Sequence, residues 1–168
     1  MPSAIRHALA VLVLPVTMAV IVPTWIARRV SVAVTLPHTL AGWAGAGLGL
    51  GVLIVGAILF LACLSRFVDD GKGTLAPWDP PTQLVVKGPY AHVRNPMISA
   101  VVLILLAEGL LLRSLPHLTW AGAFALFNAV YIPLLEEPSL RARFGDEYEE
   151  YANHVPRLLP RITPWLRA

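Results

Sequence analysis

The fold is decided by one stretch without a charged residue, residues 40–64, which reads LAGWAGAGLGLGVLIVGAILFLACL. A helix needs about 20 consecutive apolar residues to cross the hydrocarbon layer of a bilayer. This stretch is longer than that, so it predicts a transmembrane helix. Gly45 with Gly49, and Gly47 with Gly51, follow the small-residue spacing by which membrane helices approach closely. We interpret these glycines as packing positions, within the chain or across a possible homodimer.

Three further apolar runs flank this stretch, at residues 7–27, 97–112 and 118–135. Hydrophobic residues make up 57% of the 168-residue chain and charged residues only 14%, which is too little polar surface for a soluble domain of this size. We therefore expect an all-α integral membrane protein of about four transmembrane helices. It should form a single domain over residues 1–168, with two spans in residues 1–66 and a functional half in residues 67–160.

The basic residues predict the orientation, because Lys and Arg are enriched in cytoplasmic loops. The N-terminus, the second loop and the tail carry ten of them: Arg6, Arg66, Lys72, Lys87, Arg94, Arg141, Arg143, Arg157, Arg161 and Arg167. The opposite side has three, Arg28, Arg29 and Arg113. Multi-pass topology with both termini in the cytoplasm is predicted. Basic residues clustered between apolar runs are typical of membrane proteins, so we expect no nucleic-acid partner.

Two isolated polar groups lie inside the predicted spans. Cys63 has no second cysteine with which to form a disulfide or a metal site, and the scattered histidines suggest no metal either. Glu108 lies mid-way along the third span, where a carboxyl group is costly and often functional. For Glu108 we favour a structural role, either protonated or paired with Arg113, over a functional one.

The polar loop and the tail are both expected to be structured. The loop, residues 65–95, is too long for a simple connector and contains Asp79-Pro80-Pro81 and Gly88-Pro89. In the tail, Pro138 predicts a helix break at Glu136-Glu137. Apolar residues then recur at helical spacing and predict an amphipathic segment. They are Leu140, Phe144, Tyr148, Tyr151 and Val155.

Two adjacent carboxylates, Glu136 and Glu137, follow the fourth span on the side where Arg94 and Asn95 enter the third. A helix C-terminus disfavours negative charge, so this pair needs a cation. Arg94, Arg141 or the ammonium group of a ligand could supply it, and a solvated salt-bridge cluster is the alternative to a ligand site.

Two long motifs in this half of the chain carry a family resemblance. The first is GTLAPWDPP at residues 73–81 with LVVKGPYAHVRNPM at residues 84–97, and the second is EEPSL at 136–140, FGDEY at 144–148, Tyr151 and VPR at 155–157. Together they resemble the membrane methyltransferases that include isoprenylcysteine carboxyl methyltransferases and phospholipid N-methyltransferases. The resemblance covers roughly the C-terminal half of the chain.

This resemblance implies S-adenosylmethionine as methyl donor, S-adenosylhomocysteine as product, and a cofactor site between the polar loop and the last two spans. Arg94, Glu137 and Arg157 are the implied catalytic residues. The implied cofactor-binding residues are Gly88, Tyr90, His92, Val93, Arg94, Asn95, Pro96, Glu136 and Glu137. One of the two glutamates would face the donor's ammonium group or ribose hydroxyls.

The acceptor is expected to be lipid-like or a small hydrophobic molecule carrying a carboxylate, thiol or amine. Many family members have His where this chain has Asn95 and Tyr where it has Ile98. Asn95 cannot act as an acid or base near neutral pH, and the absence of an obvious base favours an acceptor that is already anionic. The alternatives are a sterol-type membrane reductase that uses NADPH and a non-catalytic membrane subunit or small transporter.

Overall fold

The computed structural model describes residues 12–32, 36–69 and 82–166, and all regular structure in these ranges is helical. Helix α1 has π-helical turns over Leu12–Ile21 and continues as an α-helix over Val22–Arg29. Helix α2 spans Leu40–Asp69, a 3₁₀ turn spans Gly88–Ala91, and α3 spans Pro96–Leu111. Helix α4 spans Leu115–Tyr131 and leads through π-helical Ile132–Glu136 into α5, Glu137–Phe144, which is followed by α6, Asp146–His154.

Two of these helices are long and apolar enough to cross a membrane. They are Leu40–Arg66, with a mean hydropathy of 2.6, and Leu115–Phe144, with a mean hydropathy of 1.6. The apolar helix Pro96–Leu111 has 16 residues, which corresponds to about 24 Å against a hydrocarbon layer of about 30 Å. Part of the first predicted span lies outside the described residues. The described residues are therefore all-helical with two candidate spans, and a count of four spans stays a prediction.

Helices α2 and α3 make the most extensive contact between two helices in the described residues, and two glycines allow them to approach closely. A Cβ atom on Gly49 would lie 3.0 Å from the side chain of Leu111, and one on Gly56 would lie 3.0 Å from that of Ile104. Both positions therefore serve packing within the chain. Gly47 and Gly51 have no atom within 4 Å of such a Cβ, so the homodimer predicted from this helix stays a prediction.

Helix α1 is attached to α4 through its own backbone carbonyls. The Trp120 indole N–H donates to the carbonyl of Met18 at 3.2 Å, and Nε2 of His117 lies 3.1 Å from the carbonyl oxygen of Pro23. Pro23 has no backbone N–H, so a carbonyl group four or five residues earlier in the helix, at Ala19 or Met18, loses its helical partner. Side chains of a neighbouring helix can then bond to exposed carbonyls of α1.

The break predicted at Glu136-Glu137 is wrong, because the helix is continuous from Leu115 to Phe144. Glu136 and Glu137 both have right-handed helical dihedral angles. The ring of Pro138 interferes with the carbonyl group four residues earlier in an α-helix. The π-helical turns over Ile132–Glu136 occur at this point and relieve that conflict without ending the helix.

The turn between α3 and α4 allows a stability prediction. A Cβ atom on Gly109 would collide with the side chain of Leu118 and come within 3.1 Å of its backbone nitrogen. Gly109→Ala is therefore expected to lower the free energy of unfolding by about 1–3 kcal/mol, the usual range for overpacking. Thermal unfolding in detergent measures this change. Gly122→Ala is the matched control because nothing lies within 4 Å of its Cβ position, and equal melting temperatures for the two variants would contradict the packing described.

Candidate functional site

The site is built where the segment before α3 runs beside the tail after α6. The backbone N–H of Arg94 donates to the carbonyl of Pro156 at 2.9 Å, and that of Arg161 donates to His92 at the same distance. The ring of His92 lies 2.9 Å, through Nδ1, from the carbonyl oxygen of Arg161. The N–H of Trp165 donates to Ala91, also at 2.9 Å. Residues 91–94 and 156–165 are therefore held together by backbone bonds.

Buried aromatic residues pack against the junction of residues 91–94 and 156–165. Tyr148, Tyr151 and Val155 form a core that also includes the partly buried Trp165. The Tyr151 hydroxyl donates to the carbonyl of Tyr90 at 2.8 Å. The Tyr90 side chain packs in a separate core against Cys63 of α2. Burial raises the pKa of the Tyr90 phenol well above its usual range, so this group stays protonated near neutral pH and serves packing.

A buried ion pair links the end of the long helix to the tail. Arg157 donates from Nε to Oε1 of Glu137 and from Nη2 to Oε2, both at 2.7 Å. Nη1 of Arg94 lies 3.1 Å from the same Oε1. The Glu137 side chain is only 3% exposed, against 13% for Arg94 and 38% for Arg157. Both carboxylate oxygens of Glu137 are thus engaged by arginines of this chain, which supply the expected cation for this one of the two glutamates.

The surroundings of Arg94 and Arg157 stabilise their positive charges. The bond to Glu137 raises the pKa of the Arg157 guanidinium, so its positive charge is stabilised. Nε of Arg94 is buried and makes no hydrogen bond, a costly arrangement that the strong ion pair must offset. Burial raises the pKa of the Tyr148 phenol, and its hydrogen bond with Arg94 opposes that shift.

A cavity of about 1160 Å³ opens between the junction and the helices. It exceeds the 300–1,000 Å³ that usually holds a drug-sized ligand. The loop and the tail form one end, called the polar compartment here because the charged lining residues Lys87 and Arg157 lie there with His92 and Asn95. Apolar residues such as Val86, Leu158 and Trp165 line this end as well. Its apolar end lies between α2, α3 and α4 and is lined by Leu59, Ile98, Val102, Leu103, Ala125, Ala129 and Ile132. One cavity therefore offers a polar and an apolar compartment.

The predicted site residues divide into two groups. Gly88, His92, Val93, Asn95, Pro96 and Arg157 line the cavity, whereas Tyr90, Arg94, Glu136 and Glu137 are not part of its lining. Residues of the second group contact other parts of the protein: Tyr90 packs in the core, and Arg94 forms an ion pair with Glu137. The segment of residues 73–81, which carries the start of the first motif, lies outside the described residues.

Most lining residues were not predicted from the sequence, and the polar or aromatic ones among them include Lys87, Ser99, Asn128 and Trp165. Asn128 could have been identified from the sequence, because it is an amide in the middle of an apolar run and polar groups at that depth are often functional. It is 7% exposed and its side-chain nitrogen donates to the carbonyl of Phe124 at 2.8 Å. No feature of the sequence pointed to Trp165, since its place in the lining depends on how the tail folds back.

A family model of phospholipid methyltransferases matches residues 44–147, which is more than half of the chain. The chain belongs to the phospholipid methyltransferase family. The matched region runs from the start of α2 into α6 and includes Lys87 to Pro96 and both glutamates. Arg157 and Trp165 lie beyond it. No curated protein sequence matches the chain.

Family membership makes this chain a membrane methyltransferase by class, and its two long apolar helices are compatible with membrane spanning. Exposed large apolar side chains along α2 and α4 fit the same conclusion, since a bilayer would cover them. They include Leu48, Ile54, Ile58, Leu61, Leu126 and Phe127.

Proposed function

We propose that the protein transfers a methyl group from S-adenosylmethionine to a lipid-like acceptor, and that both substrates bind in the cavity of about 1160 Å³. The observation that carries this proposal is the division of one cavity into a polar compartment and an apolar one. Such a cavity suits a water-soluble donor on one side and an acceptor drawn from the bilayer on the other. Membership of a methyltransferase family supports the reaction class.

The polar compartment suits the donor through its cationic and amide groups. Arg157 and Lys87 would hold the donor's carboxylate, and Asn95 and His92 would bond to its hydroxyl and ring-nitrogen groups. Among the described residues, no Asp or Glu lines the cavity. We therefore place the donor's carboxylate, and not its ammonium group, against the residues named here.

The chain needs to do little chemistry in this reaction. The donor supplies a methyl group on a sulfonium centre, which an in-line nucleophile displaces, so alignment is the main task of the protein. Arg94 and Glu137 act as positioning residues, because their ion pair fixes Arg157 in the wall of the cavity. The raised pKa values of Tyr90 and Tyr148 keep these phenols protonated, which leaves them unsuited to act as a general base.

The apolar compartment selects the acceptor. Its walls accommodate a hydrocarbon chain, and Asn128 and Ser99 are polar groups in the same lining. A carboxylate or thiolate acceptor needs no base, whereas an amine must first lose a proton. We therefore favour an acceptor that is anionic when it reacts, with an amine as the second choice.

The proposed topology is multi-pass with both termini in the cytoplasm, on the basis of ten basic residues against three. The donor would then reach the polar compartment from the cytoplasm. A reporter fused after Ala168 is expected to be active only in the cytoplasm. Activity of that reporter only on the opposite side would contradict this topology.

Donor binding tests the proposal directly, and Asn95 offers the cleanest variant. Asn95 lines the cavity and its side chain does not cap α3. Asn95→Ala is expected to weaken S-adenosylhomocysteine binding about tenfold, the effect of one lost hydrogen bond to a ligand. Titration calorimetry in detergent measures this affinity. The control is Asn153→Ala, an exposed residue of α6.

The same titration with NADPH separates the rival enzyme class. We expect binding of S-adenosylhomocysteine and none of NADPH. Binding of NADPH alone would replace the methyltransferase assignment with a reductase, and binding of neither would favour a non-catalytic subunit.

A further inference from the structure

A second cavity, of about 570 Å³, lies at the end of the helices opposite the candidate site. It is lined by the first turns of α4, whereas the candidate site is lined by the last turns of that helix. Helix α1 contributes Trp25, Arg29 and Val30, and α4 contributes Leu115, Trp120 and Ala123. We call it the α1–α4 groove. Apart from Arg29 and Thr119, the side chains that line it are apolar or aromatic.

The walls of this groove are fixed by bonds between the two helices. Nε2 of His117 lies 3.1 Å from the carbonyl oxygen of Pro23, and the Trp120 indole donates to Met18 at 3.2 Å. His117 is 1% exposed and its Nδ1 lies 2.7 Å from the Ser114 hydroxyl. The two helices that form the groove are therefore held in place by hydrogen bonds between them.

The charge at this end is strongly one-sided. Residues 1–68 contain no Asp or Glu, so α1 offers no carboxylate to Arg28 or Arg29. The other charged groups at this end are Arg113, directly before α4, and Glu108 near the end of α3. These four side chains together carry a formal charge of +2.

Arg29 is held at the edge of the groove. Its guanidinium carbon lies 5.4 Å from the centre of the Trp25 ring, a cation–π distance that leaves the N–H groups available for an anion. Tryptophan is enriched at the boundary between bilayer and water. Arginine binds phosphate through paired N–H groups. The rim of the α1–α4 groove thus combines a phosphate-binding side chain with an interfacial anchor.

We propose that the α1–α4 groove binds an anionic phospholipid, with one acyl chain along the apolar faces of α1 and α4 and the phosphate at Arg29. The apolar walls match a hydrocarbon chain, and the net positive charge of this end, with Arg29 at the rim, matches a headgroup that carries net negative charge. The site lies away from the methyl-transfer cavity, so this proposal does not depend on the proposed function.

The test measures which lipids stay bound to the protein. The full chain is reconstituted in nanodiscs with equal amounts of phosphatidylglycerol and phosphatidylcholine, released, and analysed by native mass spectrometry. One basic residue near a membrane surface favours an anionic lipid by a factor of about five. We expect phosphatidylglycerol to be retained about fivefold over phosphatidylcholine, and Arg29→Gln to bring this ratio close to one.

Arg143→Gln is the matched control, because Arg143 also stacks on an aromatic ring, 5.1 Å from the centre of Phe144, but lies in the tail. This variant should keep the wild-type ratio. Ala123→Phe, which fills the groove without changing charge, should also lower phosphatidylglycerol retention. Equal retention of the two lipids by the wild type would overturn the proposal even if a variant failed to fold. A ratio unaffected by both Arg29→Gln and Ala123→Phe would also overturn it, by placing anionic lipid elsewhere.

Discussion

Glu137→Gln is expected to destabilise the protein by about 3 kcal/mol, because it leaves Arg94 without its anionic partner in a buried position. Glu137 is 3% exposed and accepts bonds from Arg157 through both oxygens. The expected loss lies at the low end of the range for breaking a buried ion pair, since Arg157 is 38% exposed and water screens part of the interaction. Thermal unfolding in detergent, without ligand, measures the effect.

The control for this variant is an ion pair of similar distance in an exposed position. Arg141 and Glu149 lie 3.0 Å apart, and both side chains are about half exposed. Glu149→Gln should change stability by less than about 1 kcal/mol. If Glu137→Gln leaves the melting temperature unchanged and only weakens donor binding, the carboxylate is a ligand group and the ion pair is not structural.

This expectation reverses the role inferred from the sequence for Glu137. The sequence indicated that the two carboxylates need a cation, with Arg94 among the candidates, and the structure places Arg94 and Arg157 against Glu137. The sequence could not choose between an arginine and a ligand's ammonium group. Arg157, twenty residues along the chain, occupies both oxygens, and that pairing depends on how the tail folds back.

Ala129→Trp is expected to reduce methyl transfer on the order of 100-fold, because misplacing an acceptor by about 1 Å has an effect of that size. Ala129 lines the apolar compartment beside Val102 and Ile132, so a larger side chain would occupy the space of the acceptor. Donor affinity should stay near the wild-type value, since the polar compartment is unchanged. Transfer of a labelled methyl group to membrane lipid extract, together with calorimetry of S-adenosylhomocysteine, measures the two effects separately.

Val130→Trp is the neighbouring control. Val130 is 52% exposed and does not line the cavity, so a tryptophan there would extend towards the surrounding lipid. It should retain most of the activity. If the two variants lose activity equally, the apolar compartment is not the place where the acceptor binds.

The sequence predicted the helical class and its main helix well. Residues 40–64 were expected to form a helix, and α2 covers them within Leu40–Asp69. The third apolar run also agrees closely with Pro96–Leu111. Apolar length and charge distribution are local properties, so a single sequence carries them.

The motif residues were harder to assign, because a motif does not say which side chains face a ligand. His92 and Asn95 line the cavity, whereas Tyr90 and Arg94 from the same motif face the protein interior. The continuous helix through Glu136 and Glu137 was missed for a similar reason. A proline favours a break locally, and the π-helical turns over Ile132–Glu136 accommodate it in the folded chain.

We propose that this chain moves a methyl group from S-adenosylmethionine to a molecule bound in the apolar compartment. The most direct measurement incubates purified protein with methyl-labelled donor and membrane lipid extract and follows the label into organic solvent. We expect a labelled, lipid-soluble product that the wild type forms and Ala129→Trp forms poorly. No lipid-soluble label from a wild type that binds S-adenosylhomocysteine, or equal product from both proteins, would contradict it.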